Sequence, residues 1–243
     1  MKNMLIGGLQ KFTALDYPGK IAATVFTVGC NFRCPYCHNE EIVEIGSSRS
    51  FDVIDEAEIF EFLESRRGDL DGVCITGGEP TLQKDLVGFI EKVRDMDFLV
   101  KIDTNGANFE VVKTLIASQL VDYFAIDIKT AFDKYHLVSA PENASEQTLN
   151  SVELISKAGV PLELRTTVAP GVVGVEDFDN IVRMINEKNK NIFPQLSRYC
   201  VQTFRPQKCL NKSFEETRPY EDEILDEIAE KLRRYCPRVN VIK

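Results

Sequence analysis

Three cysteines on one short loop carry the first chemical signal in this chain. Cys30, Cys34 and Cys37 stand in Cys-Asn-Phe-Arg-Cys-Pro-Tyr-Cys, a C-x3-C-x2-C spacing. Thiolates are the general protein ligands of iron–sulfur clusters. Three of them on one loop can hold three corners of a cubane cluster, leaving the fourth iron without a ligand from the motif. An iron with an open position can bind a small molecule. The structural alternative is a Cys3His zinc site that recruits His38. Zinc loops usually pair two short arms separated by a longer stretch, and no second arm is evident here. Cys37 and His38 are also adjacent, which makes joint ligation of one ion awkward.

Further polar residues recur where apolar runs end. Thr76-Gly77-Gly78-Glu79-Pro80 follows one such run. Its glycines allow backbone to approach a ligand closely, and exposed carbonyls with the Glu79 carboxylate would suit an ammonium group. A plain strand-to-helix turn explains the same residues. Asp103-Thr104-Asn105-Gly106 ends another run and also reads as a simple turn. Asp127 and Lys129 interrupt Phe-Ala-Ile-Asp-Ile-Lys, where charges are costly unless paired or at the wet end of a strand. The two-residue period puts both on one face, and an internal ion pair is the competing explanation. Arg165 and Gln202 sit in later runs. Cys74, Cys200, Cys209 and Cys236 form no tight pair, and Cys74 reads as core.

These residues need elements to position them. Strand-like runs lie at Ile21–Val28, Gly72–Ile75, Phe98–Ile102, Tyr123–Ile128, Leu162–Val168 and Tyr199–Phe204. Helical patterns lie at Asp55–Arg66, Lys84–Met96, Ser145–Lys157 and Glu221–Tyr235, with Ser145 as a cap and Gly159 and Pro161 as stop signals. Alternation of β and α implies a parallel sheet covered by helices. Six units are too few for a closed eight-stranded barrel, which leaves a partial barrel or an open doubly wound sheet. In both, functional residues gather beyond the carboxyl ends of the strands. Special residues in or at the end of all six runs describe one ligand pocket.

With 243 residues the chain can bury one sizeable core. A formal net charge of -9 argues against a nucleic-acid binder with a broad basic surface. No apolar run is long enough to span a bilayer, and the amino terminus lacks a signal-peptide pattern. Seven cysteines without an export signal point to a reducing compartment, the cytoplasm.

The cysteine motif, Gly77-Gly78-Glu79-Pro80, Asp103-Thr104-Asn105-Gly106 and Asp127-Ile128-Lys129 together resemble a radical S-adenosylmethionine (SAM) enzyme. The resemblance implies an α/β fold, a partial (β/α)6 TIM-like barrel forming one domain over residues 1–243, with the cluster loop at 29–39. It implies a [4Fe–4S] cluster on Cys30, Cys34 and Cys37, with SAM chelating the fourth iron. Gly77, Gly78 and Glu79 would contact the SAM amino group, and Tyr36 would lie near the adenine. Asp16-Tyr17-Pro18-Gly19 and Cys37-His38-Asn39 are similar to glycyl-radical-enzyme activases, in particular those of anaerobic ribonucleoside-triphosphate reductase. That group implies a monovalent cation held by Asp103, Thr104 and Asp127 beside the SAM carboxylate. Lys129, His136 and Arg165 would lie near SAM or the substrate loop, while Gln202 departs from the His of pyruvate formate-lyase activases. The expected partners are a glycyl radical enzyme and an electron donor such as flavodoxin or ferredoxin. A pyruvate formate-lyase-type activase and a radical SAM enzyme acting on a small molecule are the alternatives. Hydrogen-atom abstraction needs no general acid or base, which suits a chain with two histidines.

Overall fold

The computed structural model describes residues 4–43 and 52–243. Eight strands form one sheet in chain order: β1 Ile6–Thr13, β2 Ala22–Thr27, β3 Gly72–Gly77, β4 Leu99–Thr104, β5 Tyr123–Asp127, β6 Leu162–Val168, β7 Arg198–Thr203 and β8 Val239–Ile242. Strands β2 to β8 are parallel and β1 runs antiparallel to β2. Among the described residues β1 and β8 do not pair, so the sheet stays open. The six expected strands are β2 to β7, and they form the expected partial barrel. β1 and β8 extend it at either edge.

The helices are α1 Glu40–Val43, α2 Glu56–Glu64, α3 Leu86–Asp95, α4 Phe109–Ser118, α5 Ala144–Ala158, α6 Asp177–Lys188, α7 Ile192–Gln195 and α8 Asp222–Arg233. Asp55 caps α2 by accepting from Ala57 N at 2.8 Å. Ser145, expected as a cap, lies inside the first turn of α5; the cap position is Asn143, without a side-chain bond. Gly159 does end α5, in the left-handed region at φ +72° that glycine adopts without strain. Helices α1, α4, α6 and α7 have no sequence-based counterpart.

The two faces of the sheet differ in chemistry. Val73, Ile75, Val100, Ile102, Phe124 and Ile126 join one apolar cluster with Leu86, Phe89, Ile90 and Val93 of α3. Alternate residues carry polar groups: Cys74, Lys101, Asp103, Asp127, Glu163 and Arg165. The register sets Lys101 beside both Cys74 and Tyr123, and Asp127 beside Arg165. A two-residue period therefore sends apolar side chains to the helices and a charged row to the concave side.

Candidate active site

The parallel strands deliver their carboxyl ends to one rim. The cysteine loop follows β2, Gly78-Glu79-Pro80 follows β3, Asn105-Gly106 follows β4 and Ile128-Lys129 follows β5. Between them lies a cleft with about 680 Å3 free of protein atoms, part of it open to solvent. Cys30, Cys34, Tyr36, Cys37, Gly77, Gly78, Glu79, Asp103, Thr104, Asp127 and Lys129 all line it. Arg165 stands behind this wall and holds Asp103 and Asp127. His136 is exposed on a 3-10 segment, Phe132–Val138, and does not line the cleft. Gln202 is half-buried on β7 and does not line it either. The pocket thus draws on the ends of β2 to β5 rather than on all six expected strands.

The cysteine loop is pinned on several sides. Cys30 N donates to Val43 O at 3.1 Å and Cys37 N to Cys34 O at 3.0 Å. Tyr36 Oη donates to Lys129 O at 3.0 Å, tying the loop to the end of β5. The segment after β7 clamps it from outside: Leu210 N donates to Cys37 O and Asn211 N to Pro35 O, both at 2.9 Å. His38 lies 2.7 Å from Arg205 O through Nε2, and its ring stacks on Phe204.

That placement bears on the metal. His38 is spent on the clamp. Among the described residues, no three His, Cys, Asp or Glu side chains converge as one metal ion requires. A cubane instead takes its thiolates at separate corners. The three cysteines are free thiols on one wall of the cleft, a soft donor set of the kind such clusters use. Burial pushes the Cys30 thiol up to about 11 and the Cys34 thiol up to about 12. Neither ionises alone at neutral pH, so iron must displace the proton.

The glycines also serve backbone packing. A Cβ on Gly78 would sit 2.1 Å from Gly29 O, and one on Gly77 would sit 2.5 Å from Thr27 N. Their freedom lets β3 press its turn against the backbone that launches the cysteine loop. Gly78 N donates to Thr27 O at 2.8 Å and Glu79 N to Gly29 O at 2.7 Å. Glu79 is also a strut. Its Oε1 accepts from Thr81 N at 3.1 Å and from the hydroxyls of Thr81 and Thr104 at 2.6 Å each. Its Oε2 accepts from Asn105 N at 2.8 Å. Burial raises its carboxyl above the usual range, against the pull of those bonds.

Asp103 and Asp127 are enclosed by cations. Lys101 contacts Asp103 Oδ1, and Arg165 Nη1 donates to Asp103 Oδ2 at 2.9 Å. Arg165 Nε donates to Asp127 Oδ1 and Lys129 Nζ to Asp127 Oδ2, both at 2.8 Å. The ion pair of Asp127 with Lys129, one of two readings of that strand, is therefore real. Burial opposes ionisation of Asp127, but the Arg165 and Lys129 charges outweigh it and hold the carboxyl well below its ordinary range. Asp103 is lowered likewise, by Arg165 and Lys101 against burial.

Residue-level comparison decides the family. The model of the Radical SAM superfamily matches residues 24–185. The chain belongs to the radical SAM superfamily. Membership implies a [4Fe–4S] cluster and SAM as its cofactors. A relative from Methanocaldococcus jannaschii, provisionally named a glycyl-radical enzyme activating enzyme, is 34% identical over 97% of this chain and 94% of its own length. The pyruvate formate-lyase-activating enzyme of Streptococcus mutans is 29% identical over 69% of this chain and 66% of its own. Among solved structures, the SuiB protein of Streptococcus suis bound to S-adenosylmethionine shares the fold, with a TM-score of 0.64 at 14% identity. That match covers 88% of this chain and 48% of SuiB. Among the described residues, no helix is long and apolar enough to cross a membrane.

Sequence reasoning did not assign Phe32, Asn39, Val43, Thr76 and Asn105 to the cleft, though all five line it. Asn39 and Asn105 had a signal, since they stand inside the motifs already noted. Asn105 Nδ2 donates to Asn31 Oδ1 at 2.8 Å and Asn39 Nδ2 to Gly77 O at 3.1 Å, so both stitch the loops together. Lys101 was not singled out either. It stands two residues before Asp103 on β4, so the two-residue period that puts Asp127 and Lys129 on one face applies to this pair as well.

Proposed function

We propose that this chain is an activating enzyme that installs a radical on a glycine of a partner glycyl radical enzyme, with anaerobic ribonucleoside-triphosphate reductase as the partner. The observation that carries the reading is end-to-end similarity to the provisionally named activase, over 97% of this chain. The open sheet supports it, because among the described residues β1 and β8 do not pair and the cleft is open to solvent on one side, which leaves room for a polypeptide loop.

Cys30, Cys34 and Cys37 would hold the cluster, whose bound form supplies an electron that splits a sulfur–carbon bond of SAM, so that the adenosyl fragment can take hydrogen from glycine. The chain's own residues position and shield. The carbonyls of Gly77 and Gly78 and the Glu79 carboxylate would receive the SAM amino group, and Lys129 and Arg165 would supply positive charge for the SAM carboxylate. Tyr36, buried and fixed through its hydroxyl to Lys129 O, walls the adenine side. A reactive primary carbon attacks whatever lies nearest, so the rate and selectivity depend on holding the reactants in one geometry. A flavodoxin or ferredoxin would deliver the electron, in the reducing cytoplasm.

The test uses anaerobically reconstituted protein, dithionite and SAM. 5′-Deoxyadenosine should form with the native chain and not with Cys30→Ala. Adding the anaerobic reductase should give a glycyl radical signal in electron paramagnetic resonance. Product without any such signal, with every glycyl radical enzyme of the source organism, would remove the activase reading and keep the radical chemistry.

A further inference from the structure

Lys101 lies in the middle of β4 with none of its surface exposed. A buried ammonium is costly unless paired. Its Nζ contacts Asp103, lies 3.7 Å from Cys74 Sγ, and sits 5.9 Å from the ring centre of Tyr123. Asp103 outweighs burial and keeps the lysine charged.

Follow the carboxylate oxygens outward from there. Asp103 gives one to Lys101 and the other to Arg165. Asp127 gives one to Arg165 and the other to Lys129. All four oxygens already accept from a cation of the chain. Thr104 Oγ1, the third expected ligand, donates to Glu79 and accepts from Gly106 N at 3.0 Å. Three cations (Lys101, Arg165, Lys129) against two anions (Asp103, Asp127) leave one net positive charge on this row. A monovalent metal ion there would have to share carboxylate oxygens that each already accept from a cation, and would add a fourth positive charge. The residues present do not fit it.

We propose that Lys101 is a built-in counter-cation that does the work of a bound monovalent metal at the SAM site, so that SAM binding by this chain requires neither potassium nor sodium. Lys101 is a positioning residue. It neutralises Asp103 from below, which leaves Arg165 to bridge Asp103 and Asp127 and keeps the row's surplus positive charge at the cleft for an anionic group of the ligand. The inference rests on the cleft being the SAM site.

The experiment measures SAM affinity by equilibrium dialysis on reconstituted, iron-loaded protein. Chloride salts of tetramethylammonium, sodium, potassium and ammonium are compared at equal ionic strength. The wild type is expected to bind SAM equally in all four. Lys101→Met should bind about 10- to 100-fold more weakly in tetramethylammonium, the usual scale for losing an outer-layer partner. Potassium or ammonium should restore part of that loss. A merely structural lysine would show no such ion-specific rescue. If Lys101→Met fails to fold, Lys101→Met with Asp103→Asn removes charge in a pair, and its weak binding should ignore the salt. Wild-type affinity that rises several-fold with potassium would overturn the proposal, as would wild-type affinity of Lys101→Met in tetramethylammonium. Iron-loaded wild type that binds no SAM in any salt would instead overturn the reading of the cleft itself.

Discussion

Gly78→Ala tests whether the glycine turn is built for backbone packing. The added Cβ would meet Gly29 at three backbone atoms, O at 2.1 Å, C at 2.7 Å and N at 3.1 Å. Backbone on both sides leaves no side chain that can swing away. The turn must retreat by more than about 1 Å to reach ordinary van der Waals separation. That retreat opens the seam where Gly78 N meets Thr27 O and Glu79 N meets Gly29 O. Overpacking costs roughly 1–3 kcal/mol, and two weakened hydrogen bonds add about 1 kcal/mol each, giving roughly 3–5 kcal/mol. For a chain of this length each kcal/mol lowers the Tm by roughly 2–4 °C, so the apo-protein should melt roughly 6–20 °C lower. Iron loading should fall too, because Gly29 leads directly into Cys30. The assay is a circular-dichroism melt under anaerobic conditions, followed by iron quantitation after reconstitution. Gly8→Ala is the control: its Cβ would meet only the Phe26 side chain, at an ordinary 3.5 Å. If Gly78→Ala melts and loads iron like Gly8→Ala, the packing explanation is wrong.

Cys30→Ala, Cys34→Ala and Cys37→Ala should each lose cluster iron and SAM cleavage together; any of them that keeps full iron and full 5′-deoxyadenosine production removes that cysteine from the ligand set. Tyr36→Phe deletes the bond to Lys129 O and should cost about 1 kcal/mol in urea unfolding, with no change in midpoint counting against the tie. Asp127→Ala should weaken SAM binding in dialysis while leaving the iron content intact, and normal SAM affinity would take Asp127 out of the site. Asp127→Asn addresses acid stability. The folded pKa of Asp127 lies below its unfolded value near 4, so its contribution is complete above that pH and is lost as pH falls through and below it. The asparagine variant should be less stable at pH 7 and should lose less on acidification below about pH 4. Parallel melting curves for the two proteins would show that the ion pairs are idle.

The sequence revealed most where chemistry and geometry share one short segment. The cysteine loop and the strand-end motifs converge on one cleft because parallel strands in register deliver their ends to one rim. The missed elements have physical reasons. β1 reads Ile-Gly-Gly-Leu-Gln-Lys-Phe-Thr, in which two glycines and exposed polar residues hide the strand. β8 has four residues and alternates too briefly to register. α4 carries Val111, Val112, Thr114 and Ile116, a β-branched content that suits a strand as well as a helix. Helix α6 has a legible apolar face in Phe178, Ile181, Val182 and Ile185. Partners were harder to read than elements. Glu79 reads from the sequence as a ligand for an ammonium group, but nothing in the sequence shows that its oxygens also accept from Thr81, Thr104 and Asn105. Only a backbone trace shows which donors stand within reach of a carboxylate.

The concave row has a consequence for how any of these substitutions is interpreted. In a closed eight-stranded barrel, layers of apolar side chains fill the interior. Here the concave face instead carries a ladder from Cys74 through Lys101, Asp103, Arg165 and Asp127 to Lys129, with Glu163 pairing Arg198 lower down. The same contacts that shape the ligand wall therefore tie strands together, both neighbours and next neighbours in the sheet. β3 meets β4 through Cys74 and Lys101, β4 meets β6 through Asp103 and Arg165, and β5 meets β6 through Asp127 and Arg165. Breaking one partner of a buried pair is costly because it strands the other charge, on the order of 3–5 kcal/mol. Removing Arg165 alone would take one cation from each of two carboxylates, leaving Asp103 with Lys101 and Asp127 with Lys129. Arg165→Met should consequently lose stability as well as SAM affinity, whereas Lys129→Met, which gives up one ion pair rather than two, should lose affinity with a smaller fall in Tm. Equal losses of stability in the two variants would mean that the ladder is not what joins the strands.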